Sequence, residues 1–322
     1  MHCKVLSTSP SFGLYVSDPV EYLKSHGCEV ELSPPDKTWS EEELTKRARD
    51  VDAIIVGFEK MSEPVIKGSR KLKIITKHGA GVDNIDIKAA SERGIVVTSA
   101  PGANSDAVAD LTFGLFLSLA RKIPIADRSV KQGQWPRMVG DQINEKALGI
   151  IGLGEVGKKV AKRALGFDMK VMAYDVIKDE AFARQYGVAY LTMDEVLGQS
   201  DFISVHVPLI PSTRNLIGPR ELGLMKKGGY LVSISRGGIV NEEALYQSLK
   251  DGRIKGAALD VFSQEPPSGS PLARLDNVIL SPHMAGYTYE ALRDTGMICV
   301  RSIVDVLEGR QPQFVVNSEI FK

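Results

Sequence analysis

The most constraining feature of this chain is a glycine-rich hexapeptide set between an apolar run and a helical pattern. Leu148-Gly149-Ile150-Ile151 reads as a buried strand, Gly152-Leu153-Gly154-Glu155-Val156-Gly157 is a G-x-G-x-x-G, and Val156–Leu165 has helical apolar spacing. In such a turn the first glycine permits the tight bend, the second lets a pyrophosphate approach the main chain, and the third lets helix pack on strand. The helix N-terminus then offers unpaired N–H groups and a positive dipole end to phosphate. The next apolar run, Val171-Met172-Ala173-Tyr174, ends in Asp175, eighteen residues past Gly157. A carboxylate there can bind ribose hydroxyls and repel a 2′-phosphate, so the segment predicts NAD rather than NADP. The alternative is a glycine turn without a nucleotide and a solvated Asp175. The complete strand–loop–helix–strand–acid order weighs against it.

Elsewhere the chain alternates short β-branched runs with longer amphipathic stretches, the pattern of parallel sheets covered by helices. Upstream, strands are expected at Lys4–Ser7, Ala53–Val56, Ile74–Lys77 and Ile95–Thr98, with helices over Asp18–His26 and Glu41–Arg49. A turn at Ser99-Ala100-Pro101-Gly102 breaks the pattern. Asp106–Arg121 follows as a long helix with Val108, Leu111, Leu115 and Leu119 on one face. Downstream strands read Leu148–Ile151, Lys170–Tyr174, Phe202–Val207, Tyr230–Ile234, Ala257–Leu259 and Val278–Leu280. Helices at Met193–Gln199 and Glu242–Lys250 separate some of them, and a last helix covers roughly Tyr289–Glu308. The expected class is α/β, with two Rossmann-like domains built on parallel sheets.

Length agrees, since 322 residues make two domains of roughly 150 each. Forty basic residues balance forty acidic ones, so the basic excess of a nucleic-acid binder is missing and no nucleic-acid partner is expected. The longest apolar stretch, Leu111–Ala120, is interrupted by Thr112, Gly114 and Ser118 and is too short to span a bilayer. Met1 to Leu6 contains no signal-like apolar core, so no membrane contact and a cytoplasmic location are expected. Cys3, Cys28 and Cys299 form neither a CxxC nor a zinc set. They read as reduced structural thiols, and no metal is expected.

Three polar residues each lie just beyond a predicted strand. Arg236 follows Leu231–Ser235 and precedes Gly237-Gly238, Glu265 lies between Phe262 and the pair Pro266-Pro267, and His283 follows Ser281-Pro282. Ligands of open α/β sheets bind beyond the carboxyl ends of strands, so these loops can converge. Oxidising a 2-hydroxy acid requires a cation to hold the carboxylate, for which arginine offers a bidentate fork. It requires a base that works near neutral pH, which suits histidine. A carboxylate that orients the imidazole and favours its protonated form completes the set. Taken singly, Arg236 could be a surface or packing residue, Glu265 a loop acid and His283 a satisfied loop histidine. Among the five histidines, His2 carries no assignment, His26 sits in a polar stretch, and His206 suits the adenine side of a cofactor site. His78, in Lys77-His78-Gly79-Ala80-Gly81, competes with His283 as the base.

At these motifs the chain resembles the NAD-dependent D-2-hydroxyacid dehydrogenases, and within them the D-3-phosphoglycerate dehydrogenases. The matching segments are Gly81-Val82-Asp83-Asn84-Ile85-Asp86, the loop Gly152–Gly157, Ser235-Arg236-Gly237-Gly238-Ile239-Val240, Ala258-Leu259-Asp260-Val261-Phe262 with Glu265-Pro266, and Ser281-Pro282-His283. The resemblance implies catalysis by Arg236, Glu265 and His283. It implies a substrate site over Lys77, His78, Gly79, Ala80, Gly81 and Asn104 with Arg236 and His283, in which N–H groups near Ala80 and Gly81 bind the carboxylate. The NAD site implied by the family comprises Gly152, Gly154, Glu155, Val156, Gly157, Asp175, His206, Val207, Pro208, Thr213, Ile234, Ser235, Arg236, Asp260, His283, Ala285 and Gly286. Asp260 is there assigned to the nicotinamide amide. The implied architecture is a flavodoxin-like substrate domain, 1–100 plus 288–322, interrupted by an NAD-binding Rossmann domain, 101–287. A homodimer is implied around a helix and arm near 105–140, where Trp135 either reaches the partner's cleft or anchors the arm.

Two departures bear on the substrate. Related phosphoglycerate enzymes carry an arginine just after the strand ending at Val56, where this chain has Gly57-Phe58-Glu59-Lys60, and another where this chain has Lys77. Lysine keeps the charge but loses the bidentate fork. The substrate implied first is the D-3-phosphoglycerate/3-phosphohydroxypyruvate pair, with glyoxylate or hydroxypyruvate reduction as the alternative. With its end near Asn317, the chain is expected to lack the C-terminal regulatory domains of longer relatives. The scaffold also occurs in NAD-sensing co-repressors that act by binding partners, but this neutral sequence shows none of their disordered tails.

Overall fold

A computed structural model describes residues 3–321 except Asp36 and Thr38; His2 lies outside the described residues. It divides into two compact units, residues 1–104 with 287–322, and residues 105–286.

In the first unit β1 (Cys3–Ser7), β2 (Cys28–Glu31), β3 (Ala53–Val56), β4 (Ile74–Lys77) and β5 (Val96–Thr98) form a sheet in the order β2-β1-β3-β4-β5. Each pairing is parallel. The strands AIIV and IIT are buried on both faces, as parallel sheets require, so they read as unbroken apolar runs rather than alternating ones. The helix Tyr289–Leu307 supplies Val300, Ile303 and Val304 to one face of this sheet, beside Val5, Ile55 and Ile74. Asn317 fixes the end of the chain, accepting the Val97 N–H at 2.8 Å and donating to the Ile95 carbonyl at 2.9 Å.

This unit differs from the sequence reading in its edge strand and its cysteines, among other features. The edge strand β2 was not anticipated, because Cys28-Glu29-Val30-Glu31 is half charged and presents only its Cys28 side to the interior. The three cysteines were expected to be reduced, yet Cys3 and Cys28 form a disulfide, and only Cys299 is a free, buried thiol. The parallel register places Cys3 directly opposite Cys28, with their Cα atoms 4.7 Å apart, a relation that spacing along the chain does not reveal.

The second unit holds β6 (Ala147–Ile151), β7 (Lys170–Tyr174), β8 (Ala189–Tyr190), β9 (Phe202–Val205), β10 (Tyr230–Ser233), β11 (Gly256–Leu259) and β12 (Val278–Leu280). Their order is β12-β11-β10-β9-β6-β7-β8, and every pairing is parallel. Two cores cover the faces. One packs Phe113, Phe116 and Leu119 of the helix Ser105–Arg121 with Val160 and Ala164 against Leu148, Ile150 and Phe202. The other joins Val196, Leu197, Leu245 and Leu249 to Ile151, Ile203 and Leu231. Strand β9 stops at Val205, two residues short of the expected end, where the chain turns into His206-Val207-Pro208. No helix among the described residues is long and apolar enough to cross a membrane.

Candidate active site

Because all seven strands are parallel, one edge of the second sheet collects every carboxyl end. The strand order reverses between β6 and β9, which opens a crevice at that edge. The glycine loop leaves β6 there. Gly152 has φ +96°, and a β-carbon on it would lie 2.8 Å from the His206 carbonyl carbon. A β-carbon on Gly157 would sit 2.2 Å from the Gly152 oxygen, so only glycine lets the helix Glu155–Leu165 begin so close to the turn. Gly154, the N-cap of that helix, contrasts with both, since a β-carbon there would meet nothing within 4 Å. That clear space at a helix N-terminus is where a pyrophosphate fits. Glu155 stands exposed at the first helical position, and Val156 packs on the core.

Asp175 follows β7 directly. Its Oδ2 accepts the Leu153 N–H at 2.6 Å and its Oδ1 the Ile177 N–H at 2.9 Å, which fixes the carboxylate beside the glycine loop. Each oxygen retains a lone pair for a ribose diol. The N–H of His206 donates to the Ile151 carbonyl at 2.7 Å, and its Nε2 meets the Ser204 hydroxyl. Burial pushes the His206 imidazole down to about 3, so it is neutral at physiological pH. After Val207, Thr213 donates its hydroxyl to the Pro208 carbonyl at 2.6 Å and accepts the Ile210 N–H at 2.8 Å, closing that loop.

Strands β10, β11 and β12 are successive neighbours, and their ends assemble the Arg, Glu and His candidates. His283 Nδ1 lies 2.7 Å from Glu265 Oε2. The other oxygen of Glu265 accepts the Phe262 N–H at 2.9 Å. Burial raises the Glu265 pKa, but the bonds from His283 and Phe262, with the charges of His283 and Arg236, outweigh it and hold the carboxyl below its ordinary value. Glu265 is therefore ionised and can accept from the imidazole Nδ1. Arg236 donates to the Ser235 carbonyl at 2.8 Å. A β-carbon on Gly237 would come within 1.9 Å of the Phe262 oxygen, so the arginine loop lies against the main chain that holds Glu265. Ile234 is buried, and the buried Ser235 hydroxyl has no partner among the described residues. Asp260 is fully buried and accepts from Ser281, Met284 and Ala285. Its carboxylate, assigned to the nicotinamide amide by resemblance, is turned onto the chain itself. Gly286 closes this unit.

The Lys77–Gly81 loop belongs to the first unit, beyond β4. Lys77 Nζ donates to the Gly57 carbonyl at 2.5 Å and to Asn84 Oδ1 at 2.9 Å, while Asn84 Nδ2 donates to the carbonyls of Gly57 and Glu59. The ammonium is thus directed at the 57–59 segment. His78 Nδ1 meets the Ser9 hydroxyl at 3.1 Å, and its ring stands edge-on to Phe12. Burial, reinforced by the Lys77 charge, lowers the His78 imidazole to about 4. The competing base is therefore held neutral inside its own unit. Gly79 has φ +151°, and the N–H groups of Ala80 and Gly81 donate to no group among the described residues. Asn104 is the last residue of this segment of the unit.

Sequence reasoning missed three supporting groups: Asn84, the Phe262 N–H and Ser281. All lie in or beside the quoted motifs, so spacing marked their segments. Their pairing with Lys77, Glu265 and Asp260 needed three-dimensional register. No group of His, Cys, Asp and Glu among the described residues could hold a metal ion.

Residues 113–285 match the family described as D-isomer specific 2-hydroxyacid dehydrogenase, NAD binding domain. A D-3-phosphoglycerate dehydrogenase of Methanocaldococcus jannaschii is 43% identical over 98% of this chain, which spans only 59% of that relative's length. A glyoxylate reductase of Korarchaeum cryptofilum is 38% identical over 91% of both chains. Among solved structures, the TT0316 protein of Thermus thermophilus superposes with a TM-score of 0.90 and 32% identity, over 97% of this chain and 99% of its own. The chain belongs to the D-isomer specific 2-hydroxyacid dehydrogenase family.

Proposed function

We propose that the protein is an NAD-dependent D-2-hydroxyacid dehydrogenase in which Arg236, Glu265 and His283 carry the chemistry. The observation that carries this reading is the 2.7 Å pair between His283 Nδ1 and Glu265 Oε2, at the same sheet edge as the glycine loop. With Nδ1 donating to the carboxylate, Nε2 is the nitrogen that takes the hydroxyl proton of a D-2-hydroxy acid or returns it to a 2-keto acid. Glu265, ionised, stabilises the imidazolium that forms. Arg236 binds the substrate carboxylate and polarises the reacting oxygen. NAD supplies the hydride acceptor when bound, held by Gly152, Gly154 and Gly157 at its pyrophosphate and by Asp175 at its ribose. Residues 1–104 and 287–322 act as the substrate unit, with the Ala80 and Gly81 N–H groups on the carboxylate.

The substrate pair we favour is D-3-phosphoglycerate and 3-phosphohydroxypyruvate, supported by the identity to relatives bearing that name. Glyoxylate or hydroxypyruvate reduction is the second reading. It is favoured by Gly57, where no guanidinium is available, and by a Lys77 ammonium already bonded to Gly57 and Asn84. A panel of 3-phosphoglycerate, glycerate, glyoxylate and hydroxypyruvate, run with both nicotinamide cofactors, separates them. Turnover of none would overturn the dehydrogenase reading itself.

We also propose a homodimer. Trp135 and Val139 are 82% and 85% exposed, and Ile123 and Val130 of the same 105–140 segment are half exposed, an apolar surface that a second copy would cover. Light scattering at a single-chain mass would exclude it. The cytoplasmic reading rests on metabolic relatives, and the Cys3–Cys28 disulfide opposes it, since such bonds persist in oxidising compartments. Counting free thiols in protein lysed under alkylation decides the point.

A further inference from the structure

Asp260 has no solvent exposure, and among the described residues no cation pairs with it. Its Oδ1 accepts the Ser281 hydroxyl at 2.6 Å and the Met284 N–H at 2.9 Å, and its Oδ2 accepts the Ala285 N–H at 2.8 Å. A buried carboxylate is tolerated only when donors replace its water, and all three donors here come from one short turn. That turn carries His283 between its attachment points. His283 has φ +51°, the left-handed region that side chains with a β-carbon avoid. Its own N–H donates to the Ser281 carbonyl at 3.1 Å. The conformation therefore needs an external constraint, and the bonds to Asp260 on both sides of His283 provide one.

We propose that Asp260 is the positioning residue for His283. It clamps Ser281, Met284 and Ala285 so that the histidine stays left-handed and directs Nδ1, rather than Nε2, at Glu265. This goes beyond the family assignment of Asp260 to the nicotinamide amide, and it rests on the reading of His283 as the base. The clamp also explains why the donors are two backbone N–H groups and a short hydroxyl. The two backbone N–H groups cannot rotate away, so the turn has one register on the carboxylate.

Asp260→Asn in the full chain tests this, because the amide keeps the volume but sets an NH2 against one of the three donors. With glyoxylate and NADH, kcat should fall a hundredfold or more, while the NADH Kd from fluorescence titration changes less than threefold. Long-range 1H–15N spectra should show the His283 Nδ1–H signature of the wild type lost or shifted. Ser281→Ala, which removes one bond of three, should reproduce both effects at about a tenth of the size, and it carries the test if Asp260→Asn does not fold. An unchanged His283 spectrum beside a lost kcat would overturn the proposal. So would a tenfold weaker NADH Kd together with loss of any preference for NAD over 3-acetylpyridine adenine dinucleotide, which marks direct contact with the amide. If the wild type reduces no keto acid, the dehydrogenase reading fails, while the spectra still decide whether Asp260 sets the His283 ring.

Discussion

At the carboxyl ends of β10, β11 and β12 the polar side chains hold one another, whereas at the ends of β3 and β4 they are drawn into their own loops. Glu265 is fixed between His283 and the Phe262 N–H, and Asp260 between three donors of the turn beyond β12. In the other unit the Lys77 ammonium is bonded to Gly57 and Asn84, and His78 is buried beside Ser9 and Phe12. Both edges follow the same rule, which places functional loops beyond parallel strands. The difference teaches that one edge fixes its polar side chains against one another. The other leaves backbone N–H groups at Ala80 and Gly81 as its most available donors.

The sharpest way to break this contrast is to exchange the two histidines in role. His283→Ala should lower kcat by about a thousandfold with glyoxylate or hydroxypyruvate, within the range a positioned general base contributes. NADH affinity should change little, because the glycine loop and Asp175 are untouched. Steady-state rates and a fluorescence titration measure both. Retained activity in that variant would return the base to His78.

Asp175→Ala comes next in size. Both carboxylate oxygens are anchored beside the glycine loop, so removing them takes away a charged acceptor for the ribose and the repulsion of a 2′-phosphate. The ratio of kcat/KM for NAD over NADP should fall between about tenfold and a hundredfold, the equivalent of about one charged hydrogen bond. An unchanged ratio would detach Asp175 from the ribose.

A smaller effect tests the first unit. Lys77→Ala removes an ammonium whose bonds run to Gly57 and Asn84. If that cation also meets a phosphate, KM for 3-phosphohydroxypyruvate should rise about tenfold while that for glyoxylate stays within threefold. Equal rises would make Lys77 a brace for the 57–59 segment and favour the unphosphorylated substrates.

How much of this was legible depended on what each residue does. The doubly wound second unit was readable because β6, the glycine loop and β7 each carry a local signature, and β7 and β12 run where the apolar pattern placed them. Arg236, Glu265 and His283 were legible as polar residues just past strands, which the parallel topology brings to one edge. The edge strand β2, the short helices Glu63–Gly68 and Ile87–Glu92, and the two-residue β8 were not, since so few residues with at most one buried face give no period. The disulfide and the carboxylate of Asp260 were hidden for another reason. Both depend on which residue faces which across neighbouring strands, and a single sequence carries no record of register.

A further expected effect concerns pH and compares the buried histidines of the two units. His78 is lowered to about 4 and His206 to about 3, both by burial, while each titrates near 6.5 in the unfolded chain. Below that value the unfolded chain takes up protons that the folded chain refuses. Stability should therefore fall as pH drops from about 6.5, by roughly 1.4 kcal/mol per pH unit for each histidine. The contribution of His78 should level off near pH 4, and that of His206 should continue to about pH 3. Urea unfolding at pH 7, 5.5 and 4.5 measures the slope. His78→Gln should cost stability at pH 7, where the neutral ring bonds Ser9, and should recover part of that cost at pH 4.5. A cost independent of pH would mean that His78 stays in contact with water. The sheltered ring beside Ser9 and Phe12 would then be no feature of the first edge.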